Sequence, residues 1–264
     1  MKILAINSSH RGTKGFTHYL IGRVFKGAME AGAECEEVLL SKMKMNNCLS
    51  CGRCNEKDHF LKCVWEEKDD VKSIFDKIIA ADLIIYATPI YIFTLPALLK
   101  TFLDRSYSTG DVFDLKMTKS GMFFHHINPD LSSKPFVPLI CCDNIEKATP
   151  ANAISFFKTF SKFQDAPMVG LLLRNAGGFI GHGKRPEMLE MFPKIADSLE
   201  AFEQAGRELA TTGRISRATQ KRASQYVLPF PPIKRFLNQF RPFKRKMIEQ
   251  ARIMRQAGYT EGDI

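Results

Sequence analysis

The sequence predicts an α/β fold, a doubly wound five-stranded parallel sheet with helices on both faces. Short apolar runs alternate with stretches of helical periodicity along most of the chain. No consecutive hairpin signals separate those runs. The 264 residues, 45% hydrophobic and 25% charged, are enough for one large core and unlike a disordered chain.

The elements follow in order. Residues 2–7, with Ile3, Leu4 and Ile6, read as a buried first strand. A polar loop over 8–16 leads to a helix over 17–31, with Leu20, Val24, Phe25, Ala28 and Met29 on one face and Gly32 as its stop. Residues 34–40 make a second strand. A cysteine-rich loop follows, then a helix to Ala80 capped by Asp69 or Asp70. Residues 83–87 are apolar on both faces, as central parallel strands are. A helix over 95–103, a fourth strand over 136–142, a helix over 151–163 and a fifth strand over 168–173 complete the sheet. Residues 106–134 read as an irregular connection, a lid or an oligomer contact. Residues 177–183 read as a plain flexible turn, and 187–209 as one long amphipathic helix ended by Gly213.

Charge divides the chain unevenly. The total is +10, but residues 214–264 hold twelve Lys/Arg against three acids, a net +9, leaving +1 for residues 1–213. The expected organisation is therefore a nearly neutral domain, 1–213, and a basic helical C-terminal extension, 214–264. Ile233, Phe236, Leu237 and Phe240, then Phe243, Met247, Ala251 and Met254, give the extension an apolar stripe, with Pro229, Pro231 and Pro232 as a hinge. Packing on the body or on a second subunit is the expected role. An anionic membrane surface is the second reading, and nucleic acid is disfavoured because no reader motif is present. The start of the chain lacks a signal-peptide pattern, and the apolar stretch 78–99 is broken by Asp82, Pro89 and Pro96. With seven cysteines, four of them within 48–63, a reducing cytoplasm is expected.

The loop Ser8-Ser9-His10-Arg11-Gly12-Thr13-Lys14-Gly15-Phe16-Thr17 has neither Walker nor G-x-G-x-x-G spacing. It places hydroxyls, glycines and two cations where a helix begins, which suits a phosphate dianion. Together with Thr88-Pro89-Ile90-Tyr91-Ile92-Phe93-Thr94-Leu95-Pro96-Ala97 and the following Leu98-Leu99-Lys100-Thr101-Phe102-Leu103-Asp104-Arg105, it resembles flavodoxin-like NAD(P)H-dependent FMN reductases over roughly residues 1–107. The second segment matches the pattern [ST]-P-x-Y-x-x-x-x-P-A of that group, followed by L-K-x-F-[IL]-D-R.

That resemblance implies strand order 2-1-3-4-5 and FMN as cofactor. It implies phosphate contacts from Ser9, Arg11, Lys14, Gly15, Phe16 and Thr17, in a loop one residue longer than the common form. Thr88, Pro89, Ile90, Tyr91, Ile92 and Phe93 would lie along the flavin ring, and Asp143 would reach it after the fourth strand. Such flavins take hydride from NAD(P)H at N5, so no side chain is needed as acid or base. A homodimer or homotetramer is also implied.

Cys48-x2-Cys51-x2-Cys54-x8-Cys63 can wrap one cubane. The spacing resembles the compact motif of iron–sulfur flavoproteins of the same group, which hold a [4Fe–4S] cluster. Zinc and free thiols stay open as alternatives. The expected function is an FMN-dependent oxidoreductase moving electrons from NAD(P)H to a quinone, a nitro or azo compound, or a protein carrier. The alternatives are an electron carrier reduced by ferredoxin and an interaction protein working through its basic arm. His125-His126 is disfavoured as a metal site because neighbours on a strand face opposite sides. Trp65 is expected to pack the cysteine loop onto the body.

Overall fold

A computed structural model describes residues 1–228, Ile233 and residues 240–256. Its central sheet is parallel and built from β1 (Lys2–Asn7), β2 (Glu34–Leu39), β3 (Leu83–Pro89), β6 (Phe136–Cys141) and β7 (Leu172–Arg174), in the order 2-1-3-6-7. This is the doubly wound order expected from the sequence. The numbering differs because residues 106–134 are not irregular: they contain an antiparallel hairpin, β4 (Gly110–Met117) and β5 (Phe123–Ile127). Its turn carries Gly121 at φ 76°, but a single glycine between runs of mixed polarity gave little hairpin signal.

Helices cover both faces, as βαβ crossovers require. On one face α2 (Val71–Ala80), α3 (Ala97–Arg105) and α5 (Ala151–Gln164) bury Ile74, Ile78, Leu99, Phe102 and Phe157 against Leu4, Ile6, Ile84, Tyr86 and Phe136. The other face is covered by α1 (Phe16–Glu30), onto which α8 (Pro193–Thr212) packs. Ile3, Ile85, Val137 and Leu139 are fully buried in the sheet. Both faces of β3 are buried along its length, which is why residues 83–87 show no alternation.

Three further expectations are corrected. The helix over 187–209 is broken into α7 (Pro186–Met191) and α8, because Pro193 cannot donate within a continuous helix and starts a new one. The turn over 177–183 is helical, with α6 (Gly177–Ile180) followed by a 3₁₀ turn, Gly181–Lys184. The fifth sheet strand is shorter than 168–173: Met168 makes only an isolated bridge to Phe136, and regular pairing spans Leu172–Arg174. A four-residue helix, α4 (Pro129–Ser132), precedes β6.

Two compact units divide the chain, Met1–Tyr226 and Val227–Ile264. The first extends past Gly213 because α9 (Arg217–Ala223) packs on α8 and β7, burying Thr219 and Ala223. Ile215 is buried as well, and its N–H donates to Val169 O at 2.9 Å. In the second unit a helix runs Arg241–Gln256 with Pro242 in its first turn. The stripe and hinge positions at 229–232 and 234–239 lie outside the described residues.

Candidate functional site

The first site forms where β1 and β3 end. β1 pairs with β3 in register Asn7↔Ala87, and Ser8 then donates from both N–H (3.0 Å) and Oγ (3.1 Å) to Ala87 O. This pins the start of the phosphate-type loop to the strand that feeds the Thr88–Ala97 segment. Asn7 Oδ1 accepts from Ser9 N–H at 2.9 Å, and Ser9 Oγ accepts from Arg11 N–H at 3.3 Å. A 3₁₀ turn, Gly12–Lys14, then delivers the chain to Gly15.

Gly15 is the N-cap of α1 and has no side chain to satisfy the first N–H groups; no acidic residue lies in that first turn. A Cβ at Gly15 would stand 2.9 Å from Ser9 Oγ, so any larger residue there would push the Ser9 hydroxyl aside. The result is a helix N-terminus with open backbone donors, Ser9 and Thr17 buried beside it, and Arg11 and Lys14 at its rim. That chemistry suits a phosphate dianion. Phe16 is held from within the loop and from beyond it. Arg11 lies 5.6 Å and Lys184 5.9 Å from its ring centre, and the ring fills the space a Cβ on Gly181 would need.

Thr88 and Pro89 are buried at the end of β3, while Tyr91, Ile92 and Phe93 stand out from it. Ile92 is 87% exposed and Phe93 60%, and both occupy the left-handed region at φ 46° and 65°. Exposed apolar side chains on a strained backbone suit a wall for a flat aromatic ligand. Tyr91 and Thr94 bond each other's backbones at 3.1 and 3.2 Å, closing the loop tip, and Ile90 N–H reaches Cys141 O at 3.1 Å.

Two neighbours were missed in the sequence. The His10 ring packs 5.6 Å from that of Tyr91, joining the two loops. Asn152, near the start of α5, donates through Nδ2 to Phe93 O at 3.2 Å. Only topology marks them: both sit at the carboxyl end of the sheet, where ligands of such folds bind. Asp143 is placed differently from the loop residues. Its Oδ1 accepts from Gly178 N–H at 2.6 Å, fastening the β6 loop to the start of α6.

The cysteine loop makes the second site. Cys48, Cys51, Cys54 and Cys63 are all free thiols and all line one cavity of about 20 Å³, which Arg105, Tyr107 and Trp65 also border. Burial pushes the Cys54 thiol up, and the neighbouring Cys63, Cys51 and Cys48 push in the same direction. Among the described residues, no group of three or more His, Cys, Asp or Glu stands close enough to hold a metal ion. The four thiols match a thiolate-bound cluster or zinc in kind and number and border one space, but they do not stand at ligating distances from a common point.

Trp65 Nε1 donates to Asn47 O at 3.1 Å and ties the two ends of this loop together. Beneath it lies a buried ion pair between Arg105, at the end of α3, and Asp69, with Arg105 Nη1 also donating to Asn46 O at 3.0 Å. Burial pushes the Asp69 carboxyl up, but hydrogen bonds from Arg105, Asn46 N–H and Val71 N–H outweigh it and hold the group below its ordinary value. His126 approaches Asp114 at 3.7 Å on the hairpin.

Both signature segments lie inside a single family match. Residues 1–124 match the family of NADPH-dependent FMN reductases. An iron–sulfur flavoprotein of Methanosarcina thermophila is 38% identical over 106 residues, 40% of this chain and 52% of that protein. One from Methanocaldococcus jannaschii is 33% identical over 121 residues, 46% of this chain and 60% of that protein. The matched part spans about half the length of these curated relatives. Among solved structures, an azoreductase from Bacillus anthracis superposes with TM-score 0.55 at 18% identity, covering 79% of this chain and 99% of that one. An FMN-dependent NADH-azoreductase from the same species, in complex with FMN, gives 0.55 at 14% identity, covering 80% and 100%. At these identities the structures establish the shared fold.

Proposed function

We propose that the chain is an FMN-dependent oxidoreductase that draws electrons from NAD(P)H and passes them to an acceptor. The observation that carries this reading is the junction of the two loops. An open helix N-terminus with cationic rim residues lies beside an exposed aromatic wall, joined through His10 and Tyr91. Ser9, Arg11, Lys14, Gly15, Phe16 and Thr17 would hold the phosphate of FMN. Thr88 to Phe93 would line its ring, with Asn152 fixing the carbonyl of Phe93. When bound, FMN supplies hydride acceptance and the choice of releasing electrons singly or in pairs. The chain's part is to bind, orient and shield.

Cys48, Cys51, Cys54 and Cys63 would hold a [4Fe–4S] cluster, which favours a protein electron carrier as acceptor. Without it, a quinone, nitro or azo compound would be reduced directly. An electron carrier reduced by ferredoxin is the second reading, and the four thiols around one cavity favour it. The assignment extends to a cytoplasmic homo-oligomer. Among the described residues no helix is long and apolar enough to cross a membrane.

Spectra of anaerobically purified protein, with and without added FMN, test the central claim together with iron and zinc analysis. Flavin bands and about four irons per chain are expected; flavin bands absent from every preparation would refute it. Stopped-flow mixing with NADH or NADPH under argon separates the two readings. Bleaching on a catalytic timescale supports the reductase, and bleaching by reduced ferredoxin alone supports the carrier.

A further inference from the structure

Strand β2 runs beside β1 in parallel register, and its neighbouring acids Glu36 and Glu37 go to opposite faces of the sheet. Glu36 meets Lys77 and Lys2. Glu37 pairs with no lysine or arginine among the described residues, although its side chain is only 14% exposed. Its two carboxylate oxygens engage the first loop instead. Oε1 accepts from Asn7 Nδ2 at 2.8 Å, and Oε2 lies 2.7 Å from His18 Nδ1. Asn7 ends β1 just before that loop, and His18 stands in the first turn of α1 just after it.

These contacts fix which way Asn7 points. An ionised carboxylate only accepts hydrogen bonds, so it holds the amide NH2 of Asn7 toward itself and turns Oδ1 the other way. Oδ1 is then the acceptor that Ser9 N–H reaches at 2.9 Å. The reversed amide would set oxygen against carboxylate and NH2 against N–H. Both bonds would be lost among buried groups, since Asn7 and Ser9 are 0% and 2% exposed. Ser9 Oγ in turn accepts from Arg11 N–H. Hydrogen bonds thus run from His18 through Glu37 and Asn7 into Ser9 and Arg11, and one carboxylate on β2 ties both ends of the loop. A negative charge this close to Ser9 opposes a phosphate dianion. Ordering of the loop is the gain that offsets it.

We infer that Glu37 is a positioning residue for the phosphate loop. By orienting Asn7 and anchoring His18, it holds Ser9 and Arg11 in the arrangement that takes a phosphate. The identity of that ligand as FMN rests on the proposed function, whereas the order that Glu37 imposes on residues 8–17 belongs to the free chain.

Two readouts keep this inference separate from the proposed function. In the ligand-free chain, amide exchange over residues 8–15, read by mass spectrometry, should rise about tenfold in Glu37→Leu. It should stay within about threefold of wild type in Glu37→Gln, a change that keeps the acceptor for Asn7 Nδ2. FMN affinity, read by quenching of flavin fluorescence, should fall about tenfold or more in Glu37→Leu, while riboflavin, which lacks the phosphate, changes by less than about twofold. Exchange and FMN affinity both unchanged in Glu37→Leu would overturn the inference. Equal losses of the two flavins, or a Glu37→Gln no better than Glu37→Leu, would overturn it as well. If Glu37→Leu melts early, His18→Ala at a partly exposed helix position decides in its place. FMN weakened about threefold with riboflavin unchanged supports the clamp, and unchanged FMN rejects it. Wild-type protein that binds neither flavin would refute the proposed function, and the exchange measurement would still decide the role of Glu37.

Discussion

Arg105 and Asp69 are each almost wholly buried, and the side chains of the pair are 2% and 0% exposed. Removing one partner strands the other charge away from water. Arg105→Ala is therefore expected to cost about 3–5 kcal/mol in urea unfolding. Because the folded carboxyl of Asp69 titrates below its unfolded value, near ~3.9, its contribution is fully present above that pH. It is lost as pH falls through the folded value, so acid unfolding of Asp69→Asn should show a shallower pH dependence below about pH 4. At Ile92 the signs divide differently. Glycine would remove about 1–2 kcal/mol of left-handed strain but raise the entropy of the unfolded chain, so the melting temperature should change little. FMN affinity, read by quenching of flavin fluorescence, should fall roughly tenfold, or ~1.4 kcal/mol, as part of the exposed wall disappears. Unchanged affinity would remove Ile92 from the ring site.

Helices α1 and α8 meet backbone to backbone. A Cβ on Gly27 would lie 1.8 Å from Glu203 O, and one on Gly206 would lie 1.9 Å from Val24 O. In an isolated helix Gly206→Ala would gain about 1 kcal/mol of propensity. Here the helices would have to part, and a net loss of about 1–3 kcal/mol is expected in thermal or urea unfolding. Nothing in the helical periodicity of 17–31 marks Gly27, because a glycine on the buried face resembles any small core residue. The same limit explains the break at Pro193: an apolar stripe carries across it in sequence, while the missing N–H resets the helix in space. The hairpin between α3 and β6 was hidden because its strands are half exposed and its partner is itself.

The molecule's first unit includes residues that composition assigns to the basic arm. Arg174, buried at the end of β7, has no carboxylate partner among the described residues and instead donates to Ala223 O at 2.9 Å, Gln225 O at 2.5 Å and Ser198 Oγ at 2.9 Å. Burial pulls its pKa down to about 10. A chain ending at Gly213 would leave this guanidinium without two of its acceptors and would lack the buried Ile215 and Ala223 altogether. That truncation is expected to lower the melting temperature sharply or to abolish soluble expression. A chain ending at Tyr226 should keep the melting temperature within a few degrees. Equal stability of the two would show that Arg174 does not hold the unit together.

The sheet and most of its helices were legible because parallel strands buried on both faces and amphipathic helices leave separate periods in the sequence. The two signature segments were legible because each is contiguous in sequence. Residue types and spacing by themselves determined that four thiols fall in one loop. Tertiary structure decided that they share one cavity and that His10 and Asn152 complete the loop site. Each of those depends on residues distant in sequence meeting at one end or edge of the sheet. The boundary of the first unit was decided in the same way, since net charge records only composition, while Arg174 needs the carbonyls of α9 brought back against β7.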